Sequence, residues 1–135
     1  MIQLNLPQYN LKIRQSLDKL SVYDIIRKKY VVLTKEEWVR QNLVHFLIED
    51  KHFPPPLISI VHGLKLHKMQ KRSDIVLFDN KGMPRLIVEC KSPEVNISQD
   101  TFDQAARYNM SLKVDYLVVS NGLEHYLSLI HISEP

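Results

Sequence analysis

Asp74, Glu89 and Lys91 are the residues of this sequence whose types and spacing are best suited to chemistry. They border two apolar, β-branched runs that are joined by a turn-forming sequence at residues 79–84. Such runs predict the two strands of a buried β-hairpin. If the turn is centred on Lys81-Gly82, Asp74 lies opposite Glu89 with Cβ atoms about 5 Å apart. The two carboxylates would then repel each other unless a cation lay between them.

The same register predicts how the neighbouring residues are oriented. Lys91 lies two residues beyond Glu89 and therefore shares its face of the strand, whereas the intervening Cys90 points into apolar packing. The other hairpin pairs that follow from this register are Val76 with Ile87 and Phe78 with Arg85. Two acids and an ammonium group are thus expected to converge on one spot.

Two carboxylates and a backbone carbonyl at that spot would suit a magnesium ion. Asp74, Glu89 and the carbonyl of Cys90 offer the hard oxygen ligands that Mg²⁺ prefers, with Mn²⁺ as the expected substitute. A metal there would activate a water molecule and offset negative charge during phosphodiester hydrolysis, and Lys91 would orient that water or neutralise the same charge. In the alternative, Asp74 caps a strand, and Glu89 and Lys91 form an ion pair without catalysis.

Two further motifs lie at and after the end of the second hairpin strand: Val-Glu-Cys-Lys-Ser-Pro at residues 88–93 and Phe-Asp-Gln-Ala-Ala-Arg-Tyr-Asn at residues 102–109. Together with Asp74 they resemble the PD-(D/E)xK nuclease core, and in particular the N-terminal domain of type I restriction enzyme R subunits. The resemblance covers residues 36–122, with Ser73 in place of the motif's proline. It implies an α/β fold, a restriction-endonuclease-like three-layer sandwich with a central mixed sheet. It also implies DNA as the substrate and restriction–modification subunits as partners.

The resemblance also implies an active site with contributions from the hairpin and from the helix that follows it. This site would consist of the metal ligands Asp74 and Glu89, the catalytic Lys91, and the helix-borne pair Gln104 and Tyr108. A helix is predicted over residues 100–111, after the N-cap candidate Ser98, and the four-residue spacing places Gln104 and Tyr108 on one face. In the alternative, Gln104 is solvated and Tyr108 packs in the core.

Glu37 is a further candidate, on the first predicted helix. With Thr34 it forms a capping box, which opens a helix that ends before three prolines at residues 54–56. In the family that the sequence resembles, an acid on this helix often completes the active site. The capping role explains Glu37 equally well, so both roles stay open.

The charge distribution suggests a surface for DNA. The formal net charge is +3, and Lys68, Lys71 and Arg72 lie just upstream of Asp74, where they are candidates for phosphate contact. In the alternative, these residues are ordinary solvated surface. The sequence has no G-x-x-x-x-G-K-[ST] phosphate loop, so it carries no translocating motor of its own. One cysteine and no long apolar span predict a reducing, cytoplasmic setting without membrane contact.

Three segments are predicted along the chain. Residues 1–33 form an N-terminal extension with a hairpin around residues 11–13 and 20–22, and residues 34–126 form the nuclease-like core. Residues 127–135 resemble the translation of a sequencing-library adapter, and the core is therefore expected to be truncated. The strands expected in the core cover residues 58–66, 74–78, 86–91 and 115–120.

Two classes of function fit these features. The first is a magnesium-dependent DNA endonuclease domain of a type I restriction-like system. The second is a nuclease-like module with little activity of its own, which binds nucleic acid or a partner protein. The set of Asp74, Glu89 and Lys91 favours the first, and the missing motor favours the second.

Overall fold

The computed structural model of the protein describes residues 1–62, 73–109 and 113–129. Within these ranges the chain forms a three-stranded sheet, a five-stranded sheet and two α-helices. In chain order the elements are β1 (Ile13–Ser16), β2 (Lys19–Asp24), β3 (Lys29–Val32), α1 (Lys35–His45), β4 (Ile58–His62), β5 (Ser73–Phe78), β6 (Pro84–Cys90), α2 (Gln99–Asn109), β7 (Tyr116–Ser120) and β8 (His125–Leu129).

The larger sheet is mixed, with the strand order β4-β5-β6-β7-β8. Strands β6 and β7 are parallel and are joined by α2, while the other neighbouring strands are antiparallel. A crossover helix between parallel strands must lie on one face of the sheet. The topology therefore places α2 against the face that carries every second residue of β6 and β7.

Side chains of alternating residues on this sheet pack against different helices. Residues Ile75, Leu77, Val88 and Cys90 form one core with Val39, Leu43 and Val44 of α1. Residues Val76, Ile87, Leu117 and Val119 form a second core with Ala105 of α2. Because successive side chains of a strand point to opposite sides, the sheet has one face that packs on α1, the α1 face, and one that packs on α2, the α2 face. The predicted α/β three-layer sandwich with a central mixed sheet is confirmed.

The β5–β6 hairpin has the predicted register along most of its length. Val76 lies opposite Ile87, as expected from the turn, but Phe78 lies opposite Pro84 and not Arg85. A bulge between Leu77 and Phe78 causes this shift. The prediction failed there because the turn is closed by Asp79, whose side chain accepts the amide hydrogens of residues 81 and 83.

Helix α1 begins at the predicted cap, where the Thr34 hydroxyl accepts the amide hydrogen of Glu37 at 3.0 Å. It then continues as a π-helical turn over Phe46–Asp50, so the helical conformation ends before the proline run. Helix α2 begins after Ser98, whose hydroxyl accepts the amide hydrogen of Thr101 at 3.2 Å. Both caps fix where the helices cross the sheet.

Residues 1–33 contain more strand than the sequence predicts. Strands β1 and β2 pair in antiparallel fashion with Ile13 opposite Val22, and β3 adds a third strand that was not predicted. At the other end, β8 extends into the segment that resembles an adapter, with Leu127 opposite Val118. The predicted non-native origin of residues 127–135 stays a prediction.

Candidate active site

Glu89 and Lys91 lie together at the end of β6, on the α2 face of the sheet. The Glu89 side chain is 1% exposed, and the Lys91 Nζ lies 3.2 Å from its Oε2 atom. The Lys91 amide donates to the carbonyl of Ser120 at 2.8 Å, which continues the β6–β7 ladder by one residue. The lysine side chain is 19% exposed, so its ammonium group lies at the boundary between the buried acid and solvent.

Asp74 belongs to β5, where its backbone lies opposite Val61 of β4. On its other side, the hairpin register pairs Ile75 with Val88. One further step of the same register leads from Asp74 to Glu89. The side chain of Asp74 lies outside the described residues, so the expected approach of the two carboxylates stays a prediction.

The donors present at this position fit a hard divalent cation. Glu89 supplies a buried carboxylate, and carboxylate oxygens are the ligands that Mg²⁺ binds in proteins. Among the side chains that the structure describes, no group of three His, Cys, Asp or Glu residues could hold a metal ion. The predicted ligands are Asp74, Glu89 and the carbonyl of Cys90, and of these the Asp74 side chain lies outside the described residues.

Cys90 lies between the two residues of the ion pair but points to the opposite face. Its side chain is buried in the core that α1 forms with the sheet. This is the orientation expected from the alternation along the strand. It separates the thiol from the Glu89 and Lys91 side chains and gives the thiol no place in chemistry on the α2 face.

The candidates from α2 and from the basic cluster are less fully described. Gln104 is exposed, next to Ala105, which packs on the sheet. The side chain of Tyr108 lies outside the described residues, so whether the two share a site with Glu89 stays a prediction. The DNA-binding candidates lie outside the described residues altogether; they are Lys68, Lys71 and Arg72.

Glu37 belongs to a dense network of charged and amide side chains at the start of α1. Its Oε2 atom accepts hydrogen bonds from Arg27 Nη2 at 3.1 Å and from Gln41 Nε2 at 2.8 Å. Its Oε1 atom accepts one from Arg40 Nη1 at 2.7 Å. The Thr34 cap therefore engages only the Glu37 amide, because the side chain turns toward these three donors and not back toward Thr34.

Asp24, at the end of β2, connects this network to the N-terminal sheet. Its carboxylate accepts the amide hydrogens of Ile26 and Arg27, the Arg27 side chain, and Gln41 Nε2 at 3.0 Å. Burial raises the pKa of Asp24, but the hydrogen bonds from Arg27 and Gln41 outweigh it, so the net pKa lies below the usual range. Asp24 is therefore an ionised, fully buried acid.

Arg40 is the cation at the centre of the network, with a side chain that is 3% exposed. Burial lowers the pKa of Arg40, but the negative potential of Cys90, Glu37 and Glu36 raises it by more. The net pKa is therefore above the usual value. The sequence analysis did not select Asp24, Arg27, Arg40 or Gln41 as functional residues. The signal that was available is the i,i+3 spacing of an acid and an arginine, present both at residues 24–27 and at residues 37–40.

Comparison with known proteins gives one match. The sequence model of a family described as "Type I restriction enzyme R protein N terminus (HSDR_N)" matches residues 35–134. The match includes α1 and the five-stranded sheet, and it begins directly after the N-terminal sheet. No curated protein and no solved structure matches the chain significantly. Among the helices in the described ranges, none has the length and apolar character needed to span a bilayer.

Proposed function

Because the chain belongs to the family of type I restriction enzyme R protein N termini, we propose that it is the nuclease domain of a type I restriction-like system. The proposed activity is magnesium-dependent hydrolysis of DNA phosphodiesters, with Mn²⁺ as a substitute metal. The observation that carries the proposal is the pairing of a buried acid, Glu89, with the partly exposed Lys91 at the end of a central strand. A buried acid beside a charged partner is an environment in which catalytic residues are often found.

Lys91 is assigned to charge stabilisation in this proposal. Its Nζ atom is held 3.2 Å from Glu89 and faces solvent on its other side, so it can donate hydrogen bonds to a phosphate oxygen while it stays paired. An ammonium group that is fixed before the substrate arrives loses little by reorganisation during the reaction. The same group is suited to hold the attacking water in place.

Glu89 and Asp74 are assigned to the metal, together with the carbonyl of Cys90. The hairpin register supports this assignment, since it leads from Asp74 directly to Glu89 across neighbouring strands. When bound, the magnesium ion supplies a Lewis acid that offsets negative charge on the phosphate. The two carboxylates, held on rigid strands, orient the scissile bond relative to Lys91.

The remaining assignments follow the family resemblance. Gln104 and Tyr108 are proposed to contact the substrate or its water from α2, and Lys68, Lys71 and Arg72 to contact DNA phosphates. Modification and specificity subunits are the proposed partners. The buried state of the one cysteine fits a reducing, cytoplasmic setting.

The second candidate function is a nuclease-like module that binds nucleic acid or a partner protein without cutting. The ion pair of Glu89 and Lys91 is the observation that favours it, because such a pair also stabilises a folded strand end without any catalysis. The exposure of Gln104 also fits this alternative.

Cleavage of supercoiled plasmid in Mg²⁺, with an EDTA control, distinguishes the two. We expect the wild-type protein to nick or linearise the plasmid, and Glu89→Gln to lose the activity because a charged ligand becomes a neutral one of the same size. Glu124→Gln, at an exposed acid in the β7–β8 turn, is the matched control and is expected to cut normally. Equal cutting by Glu89→Gln would remove Glu89 from the site.

A further inference from the structure

Five side chains form a buried network between the N-terminal sheet and α1: Asp24, Arg27, Glu37, Arg40 and Gln41. Two of them, Asp24 and Arg27, precede the part of the chain that matches the family. An acid, an arginine or an amide is costly to bury unless its partners are in place. The network is therefore an extensive polar connection between the N-terminal extension and the family domain.

The network begins at the turn that follows β2. Asp24 engages Arg27 through both the amide and the guanidinium group, which fixes the direction of the arginine side chain. Asp24 also accepts from Gln41 of α1 at 3.0 Å. The N-terminal sheet thus holds α1 through two separate side chains.

Arg27 and Gln41 then converge on Glu37. Both donate to its Oε2 atom, and Arg40 donates to its Oε1 atom. The two donors to Oε2 are also bound to Asp24, and the donor to Oε1, Arg40, is also bound to Glu36 at 2.7 Å. Such an arrangement holds Glu37 and Arg40 in one geometry.

The network is joined to the central sheet through α1. Arg40 is almost fully buried on this helix, next to Val39, which packs in one core with Cys90 of β6. Cys90 lies between Glu89 and Lys91, whose side chains point to the opposite face of the strand. The network thus fixes a helix that packs against the back of the strand that carries the proposed active site.

We propose that Asp24 and Arg27 are positioning residues of the nuclease site, which act through Glu37 and Arg40 on strand β6. The inference rests on the proposed function and adds that the N-terminal extension is part of the catalytic unit. Glu37 is then a positioning residue whose carboxylate holds two arginines, and not a ligand of the metal.

Arg27→Lys tests this proposal. Lysine keeps the charge, but its single ammonium group cannot bridge Asp24 and Glu37 in the way that the planar guanidinium group does. We expect kcat for DNA cleavage to fall at least about tenfold, since small displacements of catalytic groups are costly, while KM and the affinity for Mn²⁺ stay within about twofold. Gln41→Met, which removes a donor to both acids without removing a charge, is the milder second variant and is expected to act in the same direction.

Val22→Ala is the matched control. Val22 is fully buried in β2 of the same sheet but makes none of the network's hydrogen bonds, so its truncation lowers thermal stability without touching the network. We expect its kcat to equal that of the wild type at a temperature where both proteins are folded. If Arg27→Lys and Val22→Ala change kcat equally for equal losses of thermal stability, the extension acts by stability alone and the proposal is wrong.

Alkylation of Cys90 provides a readout that does not require activity. We expect the alkylation rate to change at least about tenfold in Arg27→Lys and to follow only the loss of stability in Val22→Ala, because only the first variant releases Arg40. If the wild-type protein does not cut DNA but Cys90 responds in this way, the proposed function fails and the positioning network stands. If the protein cuts DNA but Cys90 reacts alike in both variants, the network proposal fails and the nuclease assignment stands.

Discussion

Strand β6 separates two polar regions of opposite character. On the α1 face, Asp24 and Glu37 are enclosed by two arginines and a glutamine, and their hydrogen bonds connect β2 and the turn after it to α1. On the α2 face, Glu89 pairs with the partly exposed Lys91, and the hairpin register, continued by one step, pairs the backbone of Glu89 with that of Asp74. Both regions contain buried acids, but those of the first region are bridged by Arg27 and Gln41, which each donate to both carboxylates.

The two regions show how an acid that only supports the fold differs from an acid that could take part in a reaction. A carboxylate whose oxygens already face fixed guanidinium groups has its charge compensated by the protein, and a metal ion would have to displace those groups. A carboxylate beside a partly exposed ammonium group and a second acid has room for a metal and a phosphate. The comparison therefore predicts that the α1 network responds to pH and to loss of an arginine, and that the α2 site responds to metal.

The largest expected effect is the loss of Arg40. Arg40→Ala leaves Glu37 buried with only one of its two arginines, and we expect the free energy of unfolding to fall by about 3–5 kcal/mol, measured by urea denaturation. Arg85→Ala is the control: it removes the half-exposed partner of Asp115 and should cost less than about 1 kcal/mol. Similar losses for the two variants would mean that the network contributes no more than a surface pair.

Metal ions should separate the two regions. At a free Mn²⁺ concentration about 100 times its Kd, we expect stabilisation of the wild-type protein by about 2.7 kcal/mol, measured by thermal or chemical unfolding. Asp74→Asn should remove most of this stabilisation. Arg27→Lys should lower the stability of the metal-free protein but should be stabilised by Mn²⁺ as much as the wild type. If Mn²⁺ stabilises the Asp74→Asn protein as much as the wild type, Asp74 does not hold the metal.

Acid should act on the network with a smaller effect. The pKa of Asp24 is lowered in the folded protein, so its contribution to stability is present above the unfolded pKa of about 3.9 and is lost as the pH falls through the lower folded pKa. We expect the free energy of unfolding to fall less steeply with acid in Asp24→Asn than in the wild type. Asp18→Asn, in the exposed β1–β2 turn, should leave the pH dependence unchanged. Identical pH dependences for all three proteins would contradict the role given to Asp24.

The sequence predicted the parts of the fold that depend on local information. The hairpin register follows from alternation and turn residues, and the Ser98 and Thr34 caps follow from side chains three residues from their partners. The bulge at Phe78 was missed, because it depends on how Asp79 closes a five-residue turn. Strand β3 was missed although its Tyr-Val-Val run at residues 30–32 is of the type favoured in strands.

The two polar regions also differ in how far their contacts could be predicted from local sequence. Glu89 and Lys91 are two residues apart on a strand, so their contact follows from the period of a β-strand. Arg27 and Glu37 are ten residues apart in different elements, and Gln41 and Asp24 are seventeen apart. Contacts of this kind require the docking of α1 on the N-terminal sheet, which no local pattern specifies.

Single-turnover cleavage of supercoiled plasmid by Lys91→Ala tests most directly whether the α2 face of β6 is an active site. We expect the rate in saturating Mg²⁺ to fall at least about 100-fold, while DNA binding, measured with Ca²⁺ in place of Mg²⁺, stays within a few-fold of the wild type. Lys81→Ala, at an exposed lysine in the β5–β6 turn, should cut at the wild-type rate. A wild-type protein that binds DNA and never cuts it in Mg²⁺ or Mn²⁺, or a Lys91→Ala protein that cuts as fast as the wild type, would contradict the account.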